Sequence, residues 1–315
     1  MDVPPGPRAM VFTPSPLLTI TIEAAPDGSP ETHLHAGGQG VWIARLTARL
    51  RANVRLCGPF GGETGAVLRT LVEREGVSLR PSDATRNGSY VHDRRGGERE
   101  AIAATPPPAL LRHQLDELYN AALVEGLESG IAVLAGPDGE DVLPADTYGR
   151  LTADLISQGV TVIADLSGAF LTAAAEGGVS VLKVSHEDLI EGGQARSGGQ
   201  QDLTSAMTEL AGKGAGTVIV SRAGDPALVL SGGRFAEARV PVFQGLDHHG
   251  AGDSMTGGLA AGLARGADLE AALRLGAAAG ALNSTRHGLA TGERDLIERL
   301  AGRVGIHPLD RKPAH

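Results

Sequence analysis

One short segment near the carboxyl end of the chain combines residue types that suit phosphoryl transfer. It runs from Gly245 through Gly250-Ala251-Gly252-Asp253 into a stretch rich in Ala, Gly and Leu. Small residues ahead of a helix leave backbone N–H groups pointing outward, and with the helix dipole these form an anion site. Asp253, in the first turn, is a carboxylate that can take a proton from an acceptor hydroxyl. The same tetrapeptide taken alone also fits a simple helix cap.

Composition and charge argue against several other classes of protein. The chain has 315 residues and a formal net charge of −9, with no basic run, so we expect no nucleic-acid partner. It has no apolar stretch of membrane-spanning length and no signal-like start, so we expect no membrane association. Cys57 is the one cysteine, which rules out a disulfide within the chain and Cys-x-x-Cys metal sites. These features predict a cytoplasmic protein.

The order of the predicted elements indicates an α/β fold. From residue 111 onward, helical patterns alternate with strands rich in β-branched residues, which are IAVLAG, VTVIADL, VSVLKVS and TVIVSRAG. Such alternation favours a central, mostly parallel sheet with helices on both faces. A terminal antiparallel hairpin follows at ALVLSGGRFAEARV, then helices over 252–265 and 268–283. The last dozen residues are predicted to be a polar tail.

Two hairpin-like segments do not fit the parallel sheet. Residues 18–36 and 85–104 alternate polar and apolar side chains around turn residues. We predict that they form a small β lid over the acceptor site. The main nucleotide-binding and catalytic domain would then comprise residues 9–17, 37–84 and 105–305.

The motifs along nearly the whole chain resemble those of the PfkB carbohydrate kinases, most of all the branch with 1-phosphofructokinase and tagatose-6-phosphate kinase. The segment Thr13-Pro14-Ser15-Pro16-Leu17 is similar to TPNPALD in that branch, and Thr85-Arg86-Asn87 to its TRxN element. Further similarities, in chain order, are AGGQGVWIARLTARL to GGKGINVARALARLG, Leu143-Pro144-Ala145 with Tyr148 to the stretch after a glycine loop, LKVSHEDL to LKPNREEL, and VIVSRAGDPALVL to VLVSLGAEGALLV.

The resemblance implies a ribokinase-like three-layer α/β/α fold and an ATP-dependent sugar or sugar-phosphate kinase. Asp253 would be the base, Gly250, Ala251 and Gly252 the anion hole, and Lys183 would approach the phosphates. The other ATP-binding residues that it implies are Ser185, Asp188, Ser221, Ala223, Gly224 and Asn283. Mg²⁺ would arrive with ATP, held by phosphate oxygens and water with Asp188 as an outer-sphere carboxylate, and no protein metal site is expected.

The acceptor side is implied to contain Thr19, Gly37, Gly38, Gln39, Trp42 and Arg86. Thr19 stands where the family has Asp, Gln39 where it has Lys, and Trp42 close to a family Asn. These replacements predict a less charged small-molecule acceptor, either an unphosphorylated sugar or a nucleoside-like molecule. Trp42 would offer a flat apolar face to a ring, or it would pack its helix into the core.

Several alternatives remain open from the sequence. A catalytically weak or inactive homologue would bind a metabolite or nucleotide without turnover, and a nucleotide hydrolase would use water as the acceptor. Arg222 is interpreted either as a solvated loop residue or as a contact for ATP phosphate. His33 and His35 share a strand face and are interpreted as cleft or surface residues rather than metal ligands. A lid of this kind pairs between subunits in the family, which implies a homodimer.

Overall fold

The computed structural model describes residues 6–241, 250–283 and 292–309. Its strands belong to two sheets, one of ten strands and one of four. The strands are β1 Arg8–Phe12, β2 Leu17–Ala24, β3 Pro30–Gly37, β4 Asn53–Pro59, β5 Ser78–Ser82, β6 Gly88–Asp93, β7 Glu100–Thr105, β8 Ile131–Ala135, β9 Thr161–Asp165, β10 Val181–Ser185, β11 Thr217–Arg222, β12 Asp225–Ser231, β13 Arg234–Arg239 and β14 Gly305–Pro308.

The large sheet has the order β14-β13-β12-β11-β10-β9-β8-β1-β4-β5. The strands from β11 to β5 in this order pair in parallel, whereas β12, β13 and β14 are added antiparallel at one edge. The central strands are runs of Val, Ile, Leu and Ala that are buried on both faces, as parallel strands covered by helices must be. The predicted mostly parallel sheet is therefore confirmed.

Helices cover both faces of this sheet. They are α1 Gln39–Arg49, α2 Gly62–Arg74, α3 Arg112–Ser129, α4 Asp146–Ser157, α5 Gly168–Glu176, α6 His186–Glu191, α7 Gln200–Lys213, α8 Ala251–Ala264, α9 Leu269–Asn283 and α10 Arg294–Ala301. Alternate strand residues enter different cores: Met10 and Phe12 of β1 pack in one cluster and Val11 in the other. None of the helices in the described ranges combines the length and apolarity that a membrane span requires.

The helix that carries Asp253 is fixed by an unusually close helix–helix contact. A Cβ atom on Gly258 of α8 would lie 2.8 Å from the Cα atom of Gly276 in α9, and one on Gly262 would lie 2.8 Å from the Cα atom of Ala272. Only small residues allow two helix backbones to approach so closely. The Ala- and Gly-rich sequence of both helices thus serves the close packing of α8 against α9.

The four-stranded sheet has the order β3-β2-β6-β7 and lies apart from the large sheet. Strand β2 pairs antiparallel with β3 and parallel with β6. Thr19 pairs with Tyr90, and both side chains point toward the cleft described below. The smaller separate sheet was predicted, and it is formed by strands from both predicted lid segments; the exact domain boundaries stay a prediction.

The prediction that the last dozen residues form a polar tail is wrong. Strand β14 lies within the last dozen residues and pairs antiparallel with β13, so the β12–β13 hairpin does not end the sheet. The edge of β13 presents backbone N–H and C=O groups that a short extended segment can satisfy. The sequence interpretation also left out the short edge strand β5, the short helix α6 and helix α10.

Candidate active site

A cleft of about 1340 Å³ lies between the lid and the carboxyl ends of the central strands. Its floor includes Ser15, Gly136 and Asp165, which lie at or just after the ends of β1, β8 and β9. From β1 the chain continues to β4 on one side, whereas β8 pairs on the other side, so the strand order reverses here. Open α/β sheets bind their ligands at such a point.

Asp253 enters the cleft from the first turn of α8. Gly250, the residue before the helix, has a left-handed φ of 71°, which glycine adopts without steric cost. The Ser254 N–H donates to the Gly250 carbonyl at 2.9 Å. The amides of Gly250, Ala251, Gly252 and Asp253 come before this bond and have no acceptor inside the helix. Together with the helix dipole, they favour an anion at this place.

Gly252 has a steric reason to be glycine. A Cβ atom at this position would lie 2.5 Å from Nζ of Lys183, so the amine of Lys183 reaches the start of α8. The motif resemblance implied that Lys183 approaches the phosphates and that Gly252 belongs to the anion hole, and the structure brings these two residues together. The segment ahead of Gly250, with His248 and His249, lies outside the described residues.

Asp165 is a buried acid at the site that sequence analysis missed. It is the last residue of β9 and is 3 % exposed. Nζ of Lys183, on the adjacent strand, donates to its two carboxylate oxygens at 3.1 and 3.2 Å. Oγ1 of Thr256 in α8 donates to Oδ2 at 2.6 Å. The one signal in the sequence was an acid at the end of an apolar strand, which also fits an ordinary turn.

Burial and the charges of this cluster shift the pKa of Asp253 toward neutral pH. Burial raises the pKa of Asp253 to about 7, and the nearby Asp165 adds to the rise, while Lys183 opposes it. Burial alone would lower the pKa of Lys183, but Asp165 and Asp253 outweigh it, so that this pKa is raised. The site therefore combines a charged amine with a carboxylate that can exchange a proton at physiological pH.

The predicted acceptor residues mostly line the cleft. Thr19, Gly38, Gln39 and Trp42 all do so. Gly38 has a φ of 97° at the start of α1, where only glycine fits without strain. Gly37 is not among the described residues that line the cleft. Trp42 is partly buried and packs against the core beside α8, and its role as an apolar face for an acceptor ring stays a prediction.

The lid contributes histidines and a tyrosine to the cleft. His33, His35 and His92 line it, and burial lowers the pKa of His35 and of His92, to which neighbouring arginines add. The hydroxyl of Tyr90 donates to Oδ2 of Asp138 at 2.8 Å, which ties the lid to the loop after β8. Within the described parts of the chain, no group of three or more His, Cys, Asp or Glu side chains is arranged to hold a metal ion.

Two of the predicted ATP residues form the start of α6. The hydroxyl of Ser185 donates to the Asp188 carboxylate at 2.6 Å and accepts from the Asp188 N–H at 3.0 Å, which caps the helix. Asp188 also lines the cleft. Asn283 is buried at the end of α9 and, among the described residues, is not in the lining of the cleft.

The other predicted ATP residues lie at the end of β11. Ser221 is near the end of the strand, and Ala223 and Gly224 form the turn to β12. Ala223 has a φ of 45°, in the left-handed region that disfavours a Cβ atom. Arg222 is the last residue of β11, and it donates to the carboxylate of Glu237 at 3.1 Å with its side chain 10 % exposed. The interpretation of Arg222 as a solvated loop residue is therefore wrong, and its contact with ATP phosphate stays a prediction.

Arg86 does not reach the cleft. Its Nη1 donates to the carbonyl of Pro106 at 2.9 Å, and the residue is exposed. The next residue, Asn87, is buried and donates from Nδ2 to the carbonyls of Pro16 and Pro59, both at 2.9 Å. Its Oδ1 accepts from the backbone of the loop that leads into α2. Asn87 thus joins the base of the lid to the main sheet.

A three-layer α/β/α core, a small β lid and an acid at the start of a glycine-rich helix define a ribokinase-like small-molecule kinase. A family model described as pfkB family carbohydrate kinase matches residues 18–296. The chain therefore belongs to the pfkB family of carbohydrate kinases, as its motifs predicted, and it is a phosphotransferase with an alcohol group as acceptor.

Individual relatives agree with this assignment. The chain is 30 % identical over 275 residues to 1-phosphofructokinase of Bacillus subtilis, covering 86 % of this chain and 88 % of that protein. It is 29 % identical over 309 residues to ATP-dependent 6-phosphofructokinase isozyme 2 of Escherichia coli, covering 93 % and 97 %.

Solved structures support the same fold. Phosphofructokinase-2 from Escherichia coli in complex with potassium superimposes with a TM-score of 0.81 at 26 % identity, covering 94 % of this chain and 98 % of that one. Arabidopsis thaliana ribokinase complexed with ribose and ATP has a TM-score of 0.70 at 19 % identity, covering 94 % and 99 %. The second likeness concerns the fold alone, and the predicted ribokinase-like fold is confirmed.

Proposed function

We propose that this kinase transfers the γ-phosphate of ATP to a hydroxyl of a sugar or sugar phosphate, with Asp253 as the base. The observation that carries the proposal is the position of Asp253 in the cleft, at the start of α8, with a pKa raised to about 7. A base works best when its pKa lies near the working pH. The adjacent helix amides and Lys183 supply positive charge beside it.

In the proposed reaction, Asp253 takes the proton of the acceptor hydroxyl. The hydroxyl oxygen bonds to the γ-phosphorus, the bond from that phosphorus to the β–γ bridging oxygen breaks, and ADP leaves. The amides at Gly250, Ala251 and Gly252, together with Lys183, stabilise the negative charge of the moving phosphoryl group. Asp165 holds the amine of Lys183 beside Gly252, which supports this role for Lys183.

Mg²⁺ enters this scheme as part of the MgATP substrate. A kinase-bound Mg²⁺ keeps several waters and binds mainly to phosphate oxygens. Asp188 lines the cleft, and its carboxylate already accepts a hydrogen bond from Ser185, so it suits contact with the ion through water. We propose that Ser185 and the residues at Ser221, Ala223, Gly224 and Asn283 contribute to the nucleotide side, on the strength of their motifs.

The acceptor side is proposed to be formed by Thr19, Gly37, Gly38, Gln39 and Trp42. The names of the relatives point to fructose phosphates, whereas the neutral Thr19 and Gln39 favour a less charged acceptor. Two lid arginines, Arg94 and Arg99, also line the cleft, which makes an anionic group on the acceptor compatible with the site. Arg86 would contribute only if the lid rearranged around the acceptor.

An ADP-release screen tests this proposal. MgATP is supplied with fructose 1-phosphate, fructose 6-phosphate, unphosphorylated sugars and nucleosides, and wild type is compared with Asp253→Asn. We expect acceptor-dependent ADP release that is lost in the variant and kept in a matched surface control, Asp116→Asn. ATP binding without any acceptor-dependent release would instead favour an inactive homologue, and ADP release without an acceptor would favour a hydrolase.

We also propose that two copies pair through their lids. Ile20 pairs with Leu34 on one side and Val91 on the other, so the three lie on one face of the lid sheet. This is the face opposite Thr19, and Leu34 is 44 % exposed. Sedimentation of wild type should give a dimer and that of Leu34→Asp a monomer, while the exposed control Leu127→Asp on α3 stays dimeric; a monomeric wild type contradicts the proposal.

A cytoplasmic location is proposed as well. Cys57 is a free, buried cysteine, and burial raises the pKa of its thiol. A single inert thiol suits a reducing compartment that supplies ATP.

A further inference from the structure

The loop directly after β8 is held against the acceptor side of the cleft. The N–H of Gly136 donates to Oε1 of Gln39 at 2.6 Å, and the N–H of Asp138 donates to Oγ of the buried Ser15 at 2.6 Å. Between the two amides, the ring of Pro137 restricts the backbone φ. All five residues line the cleft. The loop therefore presents the side chain of Asp138 to the cleft from a fixed backbone.

One oxygen of the Asp138 carboxylate is bonded to the lid. The hydroxyl of Tyr90 on β6 donates to Oδ2 at 2.8 Å, and Tyr90 pairs with Thr19 of β2 in the lid sheet. Thr19 stands where the pfkB motif has an Asp. The carboxylate of Asp138 therefore lies in the same part of the cleft as the position from which the motif carboxylate has been lost.

Most of the hydrogen-bonding capacity of this carboxylate is left for a ligand. An ionised carboxylate offers about four acceptor positions, and the Tyr90 hydroxyl occupies one of them. Across the described ranges of the chain, Asp138 has no ion pair and its carboxylate has no second hydrogen bond. Asp138 is half-buried in the wall of the cleft. A hydroxyl that replaces water at this wall can therefore donate to Oδ1.

We infer that Asp138 is a specificity-determining residue, whose carboxylate accepts a hydrogen bond from an acceptor hydroxyl other than the one that is phosphorylated. The inference rests on the proposed function, because it concerns the acceptor of that reaction. It names the acceptor class as a polyol, which is a sugar or a sugar phosphate. A hydrogen bond to a carboxylate is stronger than one to the neutral hydroxyl of Thr19. In this chain the charged hydrogen-bond acceptor comes from the loop after β8 instead of from β2.

Asp138→Asn is the variant that isolates this contact. The amide oxygen of Asn can still accept from Tyr90, whereas an NH₂ group, which only donates, replaces the second oxygen. The matched control is Asp154→Asn on α4. Asp154 also accepts a hydrogen bond from a tyrosine hydroxyl, that of Tyr119, but this pair is exposed and lies away from the cleft.

The first readout is binding of the acceptor without turnover. Fructose, fructose 6-phosphate and fructose 1-phosphate are titrated calorimetrically, with MgADP present, into Asp253→Asn and into Asp253→Asn/Asp138→Asn. The affinity for the sugar that binds best should fall about tenfold to a hundredfold in the second protein, the range for loss of a hydrogen bond to a charged group. The affinity for MgADP, and all affinities in Asp253→Asn/Asp154→Asn, should stay within about twofold. An unchanged sugar affinity, or no binding of any of the three probes, overturns the inference.

The second readout compares the same sugar with its monodeoxy analogues. One analogue should bind about tenfold more weakly than the sugar when Asp138 is present. The same analogue should lose nothing further when Asp138→Asn is added, because the two changes remove the same hydrogen bond. A merely structural role for Asp138 would lower the affinity for every analogue by one common factor, and that result contradicts the inference.

Tyr90→Phe separates a contact with the acceptor from a contact with the lid. This variant breaks the bond to the lid and leaves the carboxylate in place, so it should cost less sugar affinity than Asp138→Asn does. An equal loss in the two variants would mean that only the lid contact matters, and it would overturn the inference. If Asp138→Asn does not fold, Asp138→Ala takes its place in both readouts.

Failure of the inference and failure of the proposed function give different results. Turnover retained by Asp253→Asn overturns the proposed function, and the titrations with MgADP still test Asp138. If Asp253→Asn is inactive but adding Asp138→Asn leaves the sugar affinity unchanged, the inference about Asp138 alone is wrong.

Discussion

Replacing Asp253 by Asn should stabilise the folded chain while it abolishes phosphoryl transfer. The pKa of Asp253 rises from 3.8 to about 7 on folding, first because the group is buried and then because Asp165 lies nearby. A raised folded-state pKa means that the charged carboxylate is disfavoured in the folded state. The contribution of Asp253 to stability is therefore complete below about pH 4 and is lost progressively as the pH rises through about 7.

The magnitude follows from the pKa difference. At about 1.4 kcal/mol for each pKa unit, the step from 3.8 to about 7 corresponds to about 4 kcal/mol. Asp253 borders the cleft and keeps contact with water, so we expect about half of this, about 2 kcal/mol. Asn has nearly the same shape and no charge, which leaves the Lys183–Asp165 pair intact.

Urea unfolding of wild type and Asp253→Asn at pH 4.5 and pH 8 measures this effect. The variant should be more stable at pH 8 by about 2 kcal/mol, and the gap should shrink by about 1 kcal/mol or more at pH 4.5. The surface control Asp116→Asn should stay within about 0.5 kcal/mol of wild type at both values. An equal gap at both pH values would refute the argument that Asp253 is held as a destabilised carboxylate.

Three further substitutions have defined outcomes. Gly252→Ala should lower kcat about a hundredfold by displacing the amine of Lys183; wild-type turnover would contradict this. Ala223→Gly should raise the unfolding free energy by about 1 kcal/mol, because it relieves a left-handed φ of 45°, and a lower stability in urea would count against it. Asn87→Ala should cost about 3 kcal/mol in urea unfolding through three buried hydrogen bonds, whereas a cost below about 1 kcal/mol would mean that water replaces them.

Local patterns made most of the fold predictable. Runs of β-branched residues and helical periodicity indicate the strands and helices after residue 111. Both signals depend only on residues that are close together in the sequence. The start of α8 was also predictable, because small residues before an Ala-rich stretch and an acid in the first turn are local signals of a helix start. The motif matches along the chain then predicted the family to which it belongs.

Features that depend on contacts between residues far apart in the sequence could not be predicted from it. The carboxylate of Asp165 accepts hydrogen bonds from Lys183, 18 residues away, and from Thr256, 91 residues away. No local sequence pattern reveals such partners. Strand β14 is short and half exposed, and pairing with β13 is what makes it a strand. Arg222 looked like a loop residue until the β12–β13 hairpin brought Glu237 beside it.

Trp42 gives this protein a built-in optical reporter. It is the one tryptophan in the chain, and it lies partly buried at the wall of the cleft, between the core beside α8 and the space beneath the lid. Its fluorescence depends on the polarity around the indole ring. An acceptor that displaces water from this wall should therefore change the wavelength and intensity of the emission. Ligands can therefore be titrated without a label, and the signal comes from the acceptor side of the cleft.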